Sequence, residues 1–195
     1  MLPTSVLIVI TGPIASGKST VAGELARELE RAGHRVAVID LDLVHDMLTT
    51  GGRPSDDATW DVARRAAAAL ANAFLAAGIE VVVAEGSFNR LEDRTAFTDH
   101  LDRRAAPRFV TLRVTYEEAL RRAQADPTRG NSRDPDFLGP YFATADRELA
   151  KTPPTDLVID TEQVPARDAA RIIARLGPFK TVVRANARHR STGLP

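Results

Sequence analysis

The chain contains no cysteine, so disulfides and thiolate metal sites are excluded. Lysine is almost as scarce, with three residues against 23 arginines in a chain of 195. Aromatic residues make up 5 % of the chain and the formal net charge is zero. Such a chain offers neither the basic field nor the stacking platforms that long nucleic acid calls for. Long hydrophobic runs are missing too. The N-terminal apolar stretch stops at Thr11-Gly12, too short to span a membrane and without the basic flank of a secretory leader. A cytoplasmic protein with no membrane partner is expected. The N-K-x-D motif of switch-type, purine-specific NTPases is absent as well. What remains is the composition of an ordinary globule, 44 % apolar and 27 % charged, at a length that suits one α/β domain.

One stretch organises the chain. Gly12-Pro-Ile-Ala-Ser-Gly-Lys-Ser19 fits G-x-x-x-x-G-K-[ST], the phosphate-binding loop. Ser5–Ile10 before it is an apolar, β-branched run that reads as a buried strand. After it, Val21, Leu25 and Leu29 recur every four residues, as on one face of a helix. The loop therefore sits between a strand and a helix N-terminus, where backbone N–H groups and the helix dipole favour an anion. Gly12, Ala15, Ser16, Gly17, Lys18, Ser19 and Thr20 form the nucleotide cradle in this reading. Lys18 reaches the β- and γ-phosphates, and the Ser19 hydroxyl is a ligand for Mg²⁺.

Further along, strands alternate with helices, which predicts a parallel sheet wrapped by helices. Strands are expected at Ser5–Ile10, Arg35–Ile39, Ile79–Ala84, Arg108–Val114 and Leu157–Ile159. Helices are expected at Lys18–Ala32, Leu41–Leu48, Asp56–Ala77, Asn89–Arg104, Tyr116–Ala125, Phe137–Leu149 and Ala166–Leu176. No internal repeat and no second domain interrupts residues 1–176. The tail 177–195 is basic, carrying Lys180, Arg184, Arg188, His189 and Arg190.

Two acids close the second strand, in Val38-Ile39-Asp40-Leu41-Asp42. In parallel α/β sheets ligands bind beyond the carboxyl ends of the strands, so both acids are expected in the crevice that holds the phosphate loop. A spacing of two puts both on one side of an extended segment. One carboxylate would then orient metal-bound water, and the other would accept a proton from an attacking hydroxyl. Helix capping by Asp42 is the alternative. His45 follows on the short helix, as a substrate contact or as a surface histidine. Glu85 ends the third strand, where a carboxylate positions Mg²⁺ or its water, or else pairs with an arginine to close the crevice. Gly86 after it leaves room for the close approach of a ligand.

Arg121, Arg122, Arg129 and Arg133 cluster around a break between two helices, a polar loop at about 126–135. Arginines on such a lid neutralise charge on a transferring group and exclude water. Acceptor contacts are expected from the loop Thr49–Trp60, the helix Asp61–Ala77 and the segment Ser87–Arg94, where Arg53, Arg64, Arg90 and Arg94 either read an anionic acceptor or stand as solvated arginines.

Together these pieces resemble the small P-loop kinases that phosphorylate hydroxyl groups, over roughly Ser5 to Leu176. Asp40-x-Asp42 looks like the D-x-D of shikimate kinases, which implies the first Asp near Mg²⁺ and the second on the acceptor hydroxyl. Arg122-x-x-x-Asp126-x-x-Arg129 is similar to the lid pattern of that family, implying Arg122 against the adenine and Arg129 on the phosphates. Two features differ: Gly130-Asn131-Ser132 stands in place of the family's Pro-Leu-Leu, and Glu85-Gly86-Ser87 in place of its glycine pair. The run Val38–Met47 also looks like the chloramphenicol phosphotransferase pattern, whose proposed base falls on Asp42. Adenylylsulfate kinases are similar up to their D-G-D, and have an arginine where this chain has His45. Asp160-Thr161 occupies the place where such kinases hold the adenine edge. The resemblance implies a three-layer P-loop NTPase with a five-stranded parallel sheet in the order 2-3-1-4-5.

The expectation is thus an ATP- and Mg²⁺-dependent phosphotransferase acting on a hydroxyl of a small molecule, a metabolite or an antibiotic, as a monomer or homodimer. Lys18, Asp42 and Arg129 would carry the chemistry. Ser19, Asp40 and Glu85 would attend the metal, and Asp42, His45, Arg53, Glu85, Gly86, Arg90 and Arg133 would meet the acceptor. A nucleotide or polynucleotide-end kinase and a switch-type NTPase are the alternatives.

Overall fold

Residues 5–49, 55–103 and 105–177 are described by the computed structural model. The apolar run after the N-terminus forms β1 (Val6–Thr11), all six residues of which are buried. Being buried on both faces, it has no polar alternation, as expected for an interior parallel strand. β1 pairs with β3 (Val81–Glu85) on one side and β4 (Pro107–Arg113) on the other. β2 (Val36–Asp40) flanks β3, and β5 (Leu157–Asp160) flanks β4. All pairings are parallel, and the order is β2-β3-β1-β4-β5.

Alternate residues of β1 point to opposite faces and seed two cores. Val6, Ile8 and Ile10 pack with Val21, Leu25 and Leu29 of α1 (Lys18–Arg31) and with Ala169 and Ile173 of α7 (Ala166–Ala174). Leu7 and Val9 pack with Leu41 and Val44 of α2 (Leu41–Thr49), with Ala63, Ala67 and Ala71 of α3 (Asp57–Ala76), and with Phe97 of α4 (Leu91–Thr98). The alanines of α3 let that helix lie close to the sheet. A third, smaller cluster joins Ala15 of the phosphate loop to Ala119 and Ala123 of α5 (Tyr116–Ala125) and to Leu138 and Phe142 of α6 (Pro135–Lys151). The connection from α5 to α6 is thereby anchored against the loop. Within it, Asn131–Arg133 form one 3-10 turn.

Helix ends follow local chemistry. Asp56 caps α3 by accepting from the Thr59 N–H, Thr115 caps α5, and Asp134 precedes Pro135 at the first position of α6. The helix expected over Asn89–Arg104 forms only from Leu91 to Thr98. Three side chains far away in sequence hold its ends out of the helix. The Asn89 side chain accepts from the Thr11 hydroxyl at 2.9 Å, and its carbonyl accepts from the Thr152 hydroxyl at 2.7 Å. Beyond Thr98, the Asn72 carboxamide donates to the His100 carbonyl and accepts from the Asp102 N–H, which turns the chain.

Among the described residues, no helix is long and apolar enough to cross a membrane. Arg53 and the basic tail from residue 178 onward lie outside the described residues.

Candidate active site

A cleft of about 970 Å³ opens over the carboxyl end of the sheet, against the start of α1. The phosphate loop forms its floor. Ala15 and Gly17 have positive φ, at 59° and 90°, which curls the loop into the first turn of α1. Gly12, at φ 155°, leaves the carbonyl of Leu112 only 2.6 Å from where a Cβ would stand, so no side chain fits there. The Ser16 hydroxyl is fully buried beside Gly12 and has no hydrogen-bond partner among the described residues. Lys18 Nζ donates to the carbonyls of Gly12 and Pro13 at 3.2 and 3.1 Å, folded across the loop. Burial lowers its pKa, while the charges of Glu85 and Asp42 pull the other way. Ser19 and Thr20 line the same floor.

Glu85 closes one wall. It is 3 % exposed, and burial lifts its carboxyl to about 7, against a hydrogen bond from the Ser19 side chain. That hydrogen bond joins two of the three residues expected to attend a metal. Asp40 stands beside Glu85 in the register of β2 and β3. The extended segment expected through Asp40 and Asp42 is not formed, because the chain turns helical at Leu41. Asp40, and not Asp42, is the capping residue: its carboxylate accepts from the N–H groups of Asp42 and Leu43 at 2.9 and 3.3 Å. Asp42 is thereby left free to open into the cleft. Burial raises its pKa and nearby Lys18 opposes the rise.

Gly86 does not hold space for a ligand. The neighbour that comes close is Leu41, whose Cβ lies 2.5 Å from where a Cβ on Gly86 would stand, at φ 154°. The tight fit sets the start of α2, and so the place of Asp42, against β3.

The acceptor wall differs most from expectation. His45 is buried and stacks on Trp60 at 3.8 Å with an interplanar angle of 11°. Its Nε2 meets the Ser55 hydroxyl at 3.2 Å. Arg90 pairs with Asp93 at 3.0 Å and Asp57 at 3.3 Å, and forms a capping box with Asp93 at the head of α4. Those carboxylates raise its pKa. Arg64 pairs with Asp93 at 2.9 Å and Asp61 at 3.2 Å, and donates to the Ser87 carbonyl. Arg94 donates to the carbonyls of Phe88 and Pro153. Tyr141 of α6 also lines the cleft, and burial raises its pKa.

On the opposite side Arg129 lines the cleft, held by Asp126 at 3.3 Å and near enough to Lys18 to depress its pKa. Arg133 is exposed and outside the lining of the cleft. Arg122 bridges the phosphate loop to β5: its guanidinium donates to the Thr161 hydroxyl and carbonyl at 3.0 and 2.9 Å and to the Ala15 carbonyl at 3.4 Å. Asp160 caps the following turn through the Glu162 N–H and faces a neighbouring cavity of about 510 Å³.

Sequence reasoning placed Trp60 and Asp93 only within the segments expected to meet the acceptor, without a role of their own, and missed Tyr141. Trp60 is the single tryptophan, and its place on the helix expected over Asp56–Ala77 was the available signal. Asp93 looked like any surface acid, because its two arginines become neighbours only on folding.

No group of three or more His, Asp or Glu side chains among the described residues could hold a metal alone. A hydroxyl with one or two carboxylates fits Mg²⁺, which keeps waters and takes phosphate oxygens as its remaining ligands. Ser19 with Glu85 and Asp40 is such a set. The curled loop and the Lys18 amine fit a nucleoside triphosphate.

A family model described as AAA domain matches residues 7–136. No curated protein matches the chain. Among solved structures, the Mycobacterium tuberculosis APS kinase CysC, in complex with AMPPNP and APS, is 21% identical, with 89% of this chain and 98% of that one covered at a TM-score of 0.68. The Deinococcus radiodurans tunicamycin resistance protein is 17% identical, with 90% and 97% covered at 0.66. Shikimate kinase from Acinetobacter baumannii is 21% identical, with 90% and 94% covered at 0.53. The fold is that of P-loop kinases such as the APS and shikimate kinases.

Proposed function

Since the chain belongs to the AAA-domain family and has the fold of P-loop kinases, we propose that it moves the γ-phosphoryl group of ATP to a hydroxyl of a small molecule. The observation that carries this reading is Asp42, free of capping duty, opening into the same cleft as Lys18 and bearing a raised pKa. Residues 12–20 bind the phosphates, and Lys18 leaves its resting bonds to Gly12 and Pro13 to reach the transferring group. Ser19, with Glu85 and Asp40, would hold Mg²⁺, which would neutralise charge on the phosphates. Asp42 accepts the proton of the acceptor hydroxyl. The acceptor oxygen bonds to the γ-phosphorus, the bond from that phosphorus to the bridging oxygen breaks, and ADP leaves. Arg129, on the α5–α6 connection, serves as a lid arginine that stabilises the phosphoryl group. Arg122 fixes the base side of the site by tying the loop to Thr161.

The test is ADP release from ATP and Mg²⁺ over a library of hydroxylated metabolites, nucleosides and antibiotics, with mass spectrometry for the gain of one phosphoryl group. An acceptor that stimulates release and gains that mass supports the reading. Nucleotide binding with no acceptor across the library argues for a switch-type NTPase.

A further inference from the structure

Three successive carbonyls between β3 and α4 are each held by a side chain from elsewhere in the chain. Arg64 Nη2 donates to Ser87 at 3.3 Å, Arg94 Nε to Phe88 at 3.1 Å, and the Thr152 hydroxyl to Asn89 at 2.7 Å. The Phe88 N–H in turn donates to the hydroxyl of Thr11, the residue before the phosphate loop, at 3.0 Å. Backbone tied at every carbonyl has little freedom, so the direction of its side chains is set before a ligand arrives.

Asn89 is the polar side chain that this bracing holds in place. It is 8 % exposed, and it lines the cleft. The hydrogen-bond network fixes which end of its carboxamide faces which way. The Thr11 hydroxyl accepts from Phe88, and its single hydrogen goes to Asn89 Oδ1 at 2.9 Å. Oδ1 is therefore turned to Thr11, and Nδ2 is left as the other end. Nδ2 carries two N–H groups and donates to nothing among the described residues. Unlike Arg64 Nε and the Ser16 hydroxyl, it is not sealed inside the protein. A buried asparagine that served packing alone would engage its nitrogen as well as its oxygen. This one keeps a fixed donor for whatever enters the cleft. Ser87 and Arg90, on either side of it in the same segment, line that cleft together with Trp60 and Asp93, on the wall given to the acceptor.

We propose that Asn89 binds the acceptor, with Nδ2 donating to an acceptor oxygen other than the one that takes the phosphoryl group. This rests on the phosphotransferase reading and adds a substrate contact to it. The acceptor is then a molecule with at least two oxygens, of the polyol, sugar or hydroxy-acid kind. A carboxamide nitrogen offers no lone pair, so it favours a hydroxyl, ether or carbonyl oxygen at that point and disfavours an ammonium group or a methylene. The bonds made and broken remain those of the phosphoryl transfer.

The experiment uses the full-length chain and pairs of acceptors that differ by one oxygen. They are glycerol with 1,3-propanediol, glucose with its 2- and 3-deoxy forms, adenosine with its 2′- and 3′-deoxy forms, glycerate with 3-hydroxypropionate, and the acceptor found in the wider library with its own single-deoxy forms. ADP release and the gain of one phosphoryl mass give kcat/KM for each. The expected result is that the unaltered protein prefers the oxygenated member of at least one pair by at least about tenfold, the scale of one buried donor left unpaired. Asn89→Leu then brings that preference to within about twofold of parity, by slowing the oxygenated member, and the KM for ATP stays within about twofold. Both members are read on one preparation, so a loss of folded protein cancels in the ratio. Asn89→Ala repeats the comparison with a side chain too small to strain the segment. No preference in any pair, a preference that survives both substitutions, equal losses on both members, or a raised KM for ATP with the acceptor's unchanged overturns the Asn89 assignment and leaves the kinase reading standing. ATP binding without transfer to any of these acceptors, or to the wider library, overturns both.

Discussion

Asp40 and Glu85 are register partners on the adjacent parallel strands β2 and β3, so two acids end at the same level of the sheet. Glu85 is the buried one, and desolvation outweighs the Ser19 hydrogen bond and the attraction of Lys18, with Asp40 adding repulsion. Its carboxyl therefore titrates near about 7 in the folded protein, against 4.5 for the free group. Below the lower value both states are protonated. Between the two, the unfolded chain releases a proton that the folded chain retains, so stability falls as pH rises toward 7. Each unit of such a shift is worth about 1.4 kcal/mol. Glu85→Gln should accordingly raise the Tm of the nucleotide-free protein at pH 8 and change it little at pH 4.5. A Tm difference that stays flat from pH 4.5 to 8, followed by thermal unfolding, would contradict the raised carboxyl.

Asp42 should show its role in the pH profile of kcat/KM. Its pKa is raised by burial and partly restored by Lys18, so the acid limb of the profile should lie above the usual carboxylate range. Asp42→Asn should lower turnover by at least about 10²-fold and remove that limb. Unchanged turnover of the true acceptor would end the base assignment.

Lys18→Ala should separate folding from chemistry. Among the described residues the amine bonds to two carbonyls of its own loop and to no distant element, so the Tm should move little. Phosphoryl transfer should fall by at least about 10²-fold, as for the loss of one preorganised donor. Circular dichroism and ADP release on the same preparation check both parts.

Asp93 is the structural counterpart. It is buried and answers both Arg64 and Arg90. Asp93→Ala leaves the buried Arg64 with the half-exposed Asp61 as its one carboxylate among the described residues, beside the Ser87 carbonyl. Breaking a buried pair from one side costs about 3–5 kcal/mol. Urea unfolding of Asp93→Ala should show a loss of that order, whereas Asp57→Ala, whose side chain is 81% exposed, should cost less than about 1 kcal/mol.

The frame of the molecule was legible because its signals are local. A G-x-x-x-x-G-K-S motif between an apolar run and a four-residue apolar repeat fixed the loop, and five such strand runs fixed the parallel sheet. The strand order came from resemblance to P-loop kinases, and the sheet has it. What the residues concealed depends on contacts between distant segments. Asn72 cuts α4 short from another helix, and Asp93 draws in two arginines that read as substrate contacts. The exchange of roles between Asp40 and Asp42 has a similar cause. Whether the chain is extended or helical at Leu41 decides which acid caps, and Leu41 is fixed by its fit against Gly86.

That fit gives a last prediction. A Cβ on Gly86 would lie 2.5 Å from Leu41 Cβ and 3.0 Å from its Cδ2, and the φ of 154° is one that side chains rarely adopt. The clash is with the root of Leu41 and cannot be relieved by a rotamer change, so α2 must shift. Overpacking of this kind costs about 1–3 kcal/mol. Because Asp42 is the next residue, the shift carries the proposed base with it, and a misplacement of about 1 Å can cost about 10²-fold in rate. Gly86→Ala should therefore lose more activity than its stability deficit explains. Gly86→Ala combined with Leu41→Gly should regain part of the activity, since the colliding Cβ is gone with the rest of the side chain, while remaining less stable through the lost Leu41 packing and the unchanged φ. Activity of the folded fraction, measured beside urea midpoints for both variants, separates the two effects. Full activity in Gly86→Ala would mean that α2 does not depend on this contact for its position.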